Sequence, residues 1–386
     1  MSTLPFPADV YAARLERARS LTLESGLDGI IVGPGADLAY LVGIEGDTIE
    51  RLTALVVPAD GAPRLIVPRM ELAKVRGSAV SLLDLPVIDW VDGEDPYSAV
   101  RSALRADLAR IGVSDALPAL HVIPIGDRLG VRPELATPVL REGRMIKDVR
   151  EIAELRRAGA AIDAVHRRVP RMLRPGRTER DVASEIAAAI VEEGHSAADF
   201  VIVGSGPNGA DPHHEVSDRV IEWGDIVVVD IGGPITSGYN SDSTRTYAVG
   251  SADAEAVERI GVLVRAQQAA VDAVRPGVTA EQVDAAARDV LADAGLADAF
   301  LHRTGHGIGV SVHEEPYIAP GNPLPLREGM TFSIEPGIYF PGRWGARIED
   351  IVVVTADGCE RLNITPHDLT PAADSKGLWS LGDSNS

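Results

Sequence analysis

Apolar positions along the first part of the chain switch between two periods. Positions 9–25 repeat hydrophobic residues at the three-to-four spacing of an amphipathic helix, and Gly29–Val32 is a short apolar run suited to a buried strand. Leu52–Val57 and Arg64–Val67 flank Asp60-Gly61, a strong hairpin signal. Residues 96–112 read as a helix and Ala119–Ile123 as a strand. Strands interleaved with helices predict an α/β layer domain. Gly33-Pro-Gly35 lacks the third glycine and the following helix that a dinucleotide fingerprint needs.

The pattern changes near residue 145. From Asp148 to about Leu173 the residues Val149, Ile152, Leu155, Ile162, Val165 and Val169 trace one face of a helix. This predicts an N-terminal α/β domain over 1–145, a second domain over 146–372, and a flexible tail over 373–386. The second domain echoes itself. Arg174-Pro-Gly-Arg-Thr178 precedes one helical stretch, and Arg275-Pro-Gly-Val-Thr279 precedes another 101 positions later. Each Thr is a candidate N-cap after a Pro-Gly turn. Strand-like segments follow at Asp225–Gly232 and Thr331–Glu335. Two such halves predict a duplicated α+β domain with a site between them.

Charge narrows the function. The chain carries 57 Asp+Glu against 37 Lys+Arg, a formal net charge of −20. Nucleic acids and anionic membranes require a cationic surplus, so neither is an expected partner. No apolar run approaches the roughly 20 residues that span a bilayer. The N-terminus has no basic region followed by an apolar stretch, so a cytoplasmic location is expected. The single Cys359 excludes an internal disulfide and a multi-cysteine zinc site.

Candidate chemistry concentrates between residues 211 and 350. Asp230 ends the apolar run Ile226–Val229, where a carboxylate is costly unless paired or bound to a cation. Asp242 follows across a turn, as a hairpin joining two carboxylates would require. His306 sits between glycines in Gly305-His-Gly-Ile-Gly309, which lets backbone approach it closely. Glu335 ends another apolar strand before Pro336-Gly337, and Glu349 precedes Ile351–Val354. Each alone is ordinary; a capping Asp, a flexible glycine loop or a salt-bridged Glu would explain it. Together they form an oxygen-rich donor set without sulfur, suited to Mn²⁺, Co²⁺, Fe²⁺ or catalytic Zn²⁺. Two such ions about 3.5–4 Å apart can share bridging carboxylates and hold a hydroxide. His213 and His313 are the candidates for stabilising an oxyanion and protonating a leaving amine. His302 could line the site and His214 is ambiguous; His121, His166, His195 and His367 fit structural contexts.

These motifs resemble the pita-bread metallopeptidases, specifically the Xaa-Pro peptidases, prolidase and aminopeptidase P. Asp37-Leu-Ala-Tyr-Leu-Val-Gly43 resembles their creatinase-type N-terminal domain, and Arg144-Met-Ile-Lys-Asp-Val-Arg-Glu the start of their catalytic domain. The resemblance implies a metal set of Asp230, Asp242, His306, Glu335 and Glu349 holding two divalent ions, manganese first among them. It implies that Asp242 and Glu349 bridge, and that Glu335 also partners the bridging hydroxide. His213 and His313 would bind the carbonyl and shuttle protons; His302, Tyr317 and Arg347 would surround the substrate. A homodimer or larger assembly is implied as well. Two departures stand out. Asp230 and Asp242 are one residue further apart than in the usual prolidases. Tyr317 occupies the place, four residues past His313, where some prolidases carry an arginine for a dipeptide's carboxylate. The expected activity is hydrolysis of the bond between an N-terminal residue and a following proline. The alternatives are a small non-peptide amide such as ectoine as substrate, or a metal-free creatinase-like enzyme or binding pseudoenzyme.

Overall fold

A computed structural model describes residues 4–46 and 50–372 in two compact units that divide between Arg144 and Met145. The expected tail over 373–386 lies outside the described residues.

The first unit is a mixed sheet with helices, as the interleaved pattern requires. Among the described residues its strand order is Val87–Trp90, Arg64–Pro68, Ala54–Pro58, Gly29–Val32, Ile111–Val113 and Glu134–Leu135. The Ala54–Pro58 and Arg64–Pro68 strands pair antiparallel across the Asp60-Gly61 turn, with Gly61 at φ +127°. Two expectations are corrected here. Ala119–Ile123 is helical, part of Ala119–Leu129. Pro118 sits at its N-cap, and His121, Ile125 and Leu129 bury one face at the helical period of four, which outweighs the strand-like look of the run. The helix expected over 96–112 ends at Ser102, and Ile111–Val113 is a strand running parallel beside Gly29–Val32.

The second unit repeats one plan twice. The helices Val149–His166 and Glu179–Glu192 lead into the strands Phe200–Ser205, Ile226–Pro234 and Asn240–Ala248. The helices Ala254–Ala273 and Ala280–Asp293 lead into a five-stranded sheet, ordered Glu314–Ile318, Gly305–Gly307, Thr331–Ile334, Asp350–Val354 and Cys359–Arg361. The helix predicted over 148–173 stops at His166 and resumes at Val169–Met172. Pro170 is the cause, since it offers no N–H to continue the ladder.

The duplicated turns make matching hydrogen bonds. Gly176 N–H donates to Ile221 O, Ile221 N–H to Arg177 O and Glu179 N–H to Arg219 O. In the second copy Gly277 donates to Leu326 O, Leu326 to Val278 O and Ala280 to Leu324 O. Thr178 and Thr279 each form an isolated antiparallel bridge, to Val220 and Pro325. Asp181 and Gln282, three residues on, reach back to the threonine N–H at 3.2 and 2.9 Å. Each half has its own core. One gathers Ile162, Val182, Ile186, Val203, Val227 and Val229; the other gathers Leu263, Val283, Leu291, Phe332, Ile338 and Val352.

Candidate metal centre

Side-chain direction in the long hairpin places the first two donors. Ile226–Pro234 and Asn240–Ala248 pair without a register shift, Asp230 opposite Thr244 and Gly232 opposite Asp242. Asp230 and Asp242 are therefore diagonal neighbours on one face. The register stays regular from Ile226 opposite Ala248 to Pro234 opposite Asn240, and the turn occupies 235–239. A Cβ on Gly232 would lie 2.3 Å from Ser241 O, so only glycine fits opposite Asp242.

The other donors come from the second half. Ile334 pairs with Asp350, so Glu335 and Glu349 occupy facing positions where those two strands end. Glu349 N–H donates to Thr244 O at 3.1 Å, tying that end to the hairpin. His306 lies on the short strand Gly305–Gly307, wedged between two neighbours. A Cβ on Gly305 would lie 1.8 Å from Ser333 O, and one on Gly307 2.2 Å from Glu315 O. The glycines around His306 thus serve close backbone approach on both sides.

All five residues converge, in three overlapping groups whose ligand atoms lie within 4.8 Å of one another. These are Asp230, Asp242 and Glu349; His306, Glu335 and Glu349; and Asp242, His306 and His313. His306 Nε2 stands 3.2 Å from Glu335 Oε1 and 3.5 Å from Asp242 Oδ2. Its Nδ1 faces Gly307 O at 3.1 Å, which leaves Nε2 as the nitrogen turned to the carboxylates.

The protein holds one oxygen of two of these carboxylates and leaves the other bare. Arg347 Nη2 donates to Asp230 Oδ2 at 2.6 Å, while Asp230 Oδ1 is buried with no partner among the described residues. Thr244 Oγ1 donates to Glu349 Oε2 at 2.8 Å, and Glu349 Oε1 is likewise bare. A buried carboxylate oxygen without a donor is expensive unless a cation meets it. The donor set therefore fits divalent metal.

Electrostatics point the same way. Without a cation, burial and then the Asp230 charge push the Asp242 carboxyl well above its usual range. Burial and then Asp242 do the same to Glu349. Burial opposes a charged His306, but the hydrogen bond and charge of Glu335, with Asp242, raise it to about 9. Burial works against an ionised Glu335 as well, and the His306 hydrogen bond overrides it, down to about 2. Carboxylates that repel until a proton or a cation joins them are the usual mark of a metal cluster.

The remaining sequence-derived residues surround these donors. His313 is exposed, its ring 4.1 Å from that of His306. Burial of part of its ring and then the His306 charge hold it down to about 4. His213 is also exposed, and close enough for its charge to act on His313. His302 Nε2 meets Tyr339 Oη at 2.8 Å. Arg347 is buried, and besides Asp230 it donates to Tyr339 Oη and Pro212 O. Tyr317 pairs with His306 across the adjacent strand.

Sequence reasoning missed the residues that steady these groups. Glu179, fully buried, accepts from Ser205 N–H and Oγ, Asn208, His214 Nε2 and Ser217 Oγ. Burial alone would raise its carboxyl; those donors bring it down to about 2. His214 therefore anchors the loop on which His213 stands. Asp284 accepts from Thr304 N–H at 3.0 Å and Thr304 Oγ1 at 2.8 Å, two residues before His306. Lys147 and Glu314 form a buried pair at 2.6 Å beside His313. Thr244 could have been found, since it lies two positions after Asp242 on the same strand face.

Comparison with known proteins finds matches for both parts of the chain. Residues 153–356 match metallopeptidase family M24, and residues 14–146 match the Creatinase/Prolidase N-terminal domain. The "Probable dipeptidase PepE" of Mycobacterium tuberculosis is 61% identical over 369 residues, covering 96% of this chain and 98% of that protein. The Xaa-Pro dipeptidase of Lactobacillus delbrueckii subsp. lactis is 35% identical, covering 92% and 98%. The crystal structure of dipeptidase PepE from Mycobacterium ulcerans superposes with a TM-score of 0.92 at 62% identity, covering 95% and 99%. With its duplicated α+β unit, its creatinase-type N-terminal unit and its carboxylate–histidine cluster, the chain belongs to metallopeptidase family M24.

Proposed function

We propose that this metallopeptidase holds two divalent cations, manganese first among the candidates, and cleaves the bond between an N-terminal residue and a following proline. The observation that carries the reading is the convergence of five donors with two buried carboxylate oxygens left bare. Asp230, Asp242 and Glu349 would hold one ion, and His306, Glu335 and Glu349 the other, with Asp242 close to both groups. When bound, such ions polarise a carbonyl and make water acidic enough to attack near neutral pH.

The chain's own residues do the rest. Arg347 and Thr244 fix the outer oxygens of Asp230 and Glu349, so that the inner oxygens keep one direction. His313, neutral at physiological pH, can accept a proton near the scissile bond and return it to the leaving proline nitrogen. His213, on the loop anchored by Glu179, faces the same space and would hold the carbonyl oxygen. His302 and Tyr317 would line the pocket. The relatives named as dipeptidases favour a short peptide over a non-peptide amide. No described helix is long and apolar enough to cross a membrane. A cytoplasmic homodimer is the proposed setting.

The test is a panel of Xaa-Pro dipeptides, Xaa-Pro-Yaa tripeptides and small amides incubated with Mn²⁺-loaded protein. Release of the first residue from the proline-containing peptides is expected. Turnover of a small amide far above any peptide would overturn the substrate assignment.

A further inference from the structure

The segment that follows the strand Cys359–Arg361 crosses from one half of the second unit to the other. It starts against the strand Asp350–Val354, where Leu362 N–H donates to Ile351 O and Asn363 Oδ1 accepts from Ile351 N–H at 2.9 Å. It ends beside the first-half hairpin. There Thr370 and Pro371 pair parallel to Tyr247 and Ala248, and Ala372 N–H donates to Ala248 O. In between, Asp163 of the helix Val149–His166 holds it. Asp163 is fully buried, and a carboxylate on the inner face of a helix is costly unless donors meet it. Here its Oδ2 accepts from Ile364 N–H at 2.6 Å and its Oδ1 from Thr365 Oγ1 at 2.9 Å. Gly159, one helical turn earlier, allows the close approach: a Cβ there would lie 2.4 Å from Leu362 O.

Arg245, buried on the hairpin next to Thr244, joins this segment to the donors. Its Nη1 donates to Thr244 O at 2.8 Å and to Glu349 O at 2.6 Å. Its Nη2 donates to Asp350 Oδ1 at 2.7 Å and to Thr365 O at 2.8 Å. Its Nε reaches Thr365 O at 3.2 Å and Pro366 O at 3.1 Å. All five N–H groups of the guanidinium are thus engaged, on the hairpin, on the strand end that carries Glu349, and on the crossing segment. His367 Nε2 meets the other oxygen of Asp350 at 2.7 Å. Glu349 is held at both backbone groups, its N–H by Thr244 O and its carbonyl by Arg245. None of Asp163, Arg245 or His367 faces the substrate in the reading above. Asp242 and Glu349 nevertheless reach the cluster from opposite halves, and their charges repel. A tie that fixes their spacing lowers the cost of bringing them together around a cation.

We propose that residues 363–372 tie the two halves together, and that Asp163 and Arg245 are positioning residues through which this tie holds Glu349 against Asp242 and sets the affinity for metal. The inference rests on the reading of the carboxylate–histidine cluster as a metal site. Coupling of this kind is reciprocal: whatever docking of the segment adds to metal binding, metal adds to docking of the segment.

The experiment titrates Mn²⁺ calorimetrically into metal-free wild type, Asp163→Asn and Arg245→Lys, with circular dichroism confirming that each is folded. Asp163→Asn keeps the shape and turns a donor toward Ile364 N–H. It should weaken Mn²⁺ binding about 10- to 100-fold, the scale of losses behind a metal ligand. Arg245→Lys should weaken it at least as much, because three donors on one nitrogen cannot reach acceptors on three segments. In wild type, Mn²⁺ should slow hydrogen exchange at the Ile364 and Ala372 amides by a comparable factor. That measurement needs no variant and decides the matter alone if both variants fail to fold. A lower melting temperature with unchanged Mn²⁺ affinity, or exchange at Ile364 and Ala372 that ignores metal, would make the segment a purely structural strap and overturn the proposal. A folded wild type that binds no Mn²⁺ would instead overturn the metal-site reading, and this inference with it.

Discussion

The two halves of the second unit start from the same plan and supply the carboxylate–histidine cluster in different ways. In the first half both donors ride on one regular hairpin, whose pairing from Ile226–Ala248 to Pro234–Asn240 is unbroken. In the second half His306 lies in the middle of one short strand while Glu335 and Glu349 flank the ends of two others, and the strand bearing His306 has a register shift between His306 and Gly307. The hairpin register alone sets both carboxylates on one face, and Arg347 then fixes one oxygen of Asp230. The second half aims its donors through contacts made one at a time: Ser333 Oγ to His306 N–H and Glu335, Thr244 to Glu349, Asp284 to Thr304. A duplicated scaffold thus divides the work between a rigid frame and an assembled edge.

Removing a donor that both halves share should have the largest effect. Asp242 belongs to two of the three donor groups. Asp242→Ala should lose bound metal and lower turnover by at least roughly 10³-fold, because several kcal/mol of transition-state stabilisation goes with the metal. Metal analysis beside turnover tests this; near-normal activity would mean the cluster is misassigned. His313→Ala should slow turnover by about 10²–10⁴-fold with metal retained, the range for loss of a general acid–base.

The two anchors separate the halves more finely. Glu179 steadies the loop of His213, whereas Asp284 steadies the strand of His306. Glu179→Gln should lower turnover and leave metal affinity alone. Asp284→Asn should weaken metal binding by about 10- to 100-fold, as losses behind a ligand usually do. A metal titration of both variants checks the contrast, and equal behaviour would break it.

In the metal-free protein, acid and alkali should act on different histidines of the two halves. Burial holds His166 of the first half down to about 3, so its contribution is present above its usual 6.5 and is lost as pH falls toward 3. His306 of the second half is raised to about 9, so its contribution is present below 6.5 and is lost as pH rises through 9. Each group's slope is at most about 1.4 kcal/mol per pH unit. Hydrogen exchange followed by peptide should show the His306 region loosening from pH 6.5 to 9 while the His166 region does not. Uniform change would contradict the division.

How much of this was legible depends on where each residue's signal lies. Acids at the ends of apolar runs stand out, because burial makes them costly; Asp230, Glu335 and Glu349 were visible for that reason. The repeated Arg-Pro-Gly-x-Thr turn exposed the duplication, since local turn chemistry is written in adjacent residues. Glu179 and Asp284 were not visible, because an acid on an amphipathic helix looks solvated until the loop packed against it is known. Ala119–Ile123 misled because five residues cannot distinguish a strand from one turn of a helix whose buried face extends to Leu129.

The most direct test of the central claim, that the two halves jointly hold a pair of cations for peptide hydrolysis, is to count Mn²⁺ per chain and Xaa-Pro turnover in the same sample. Two ions per folded chain, with release of the N-terminal residue rising as the second site fills, is the predicted result. A folded protein that saturates at one ion or none, or that reaches full activity before the second binds, would contradict it.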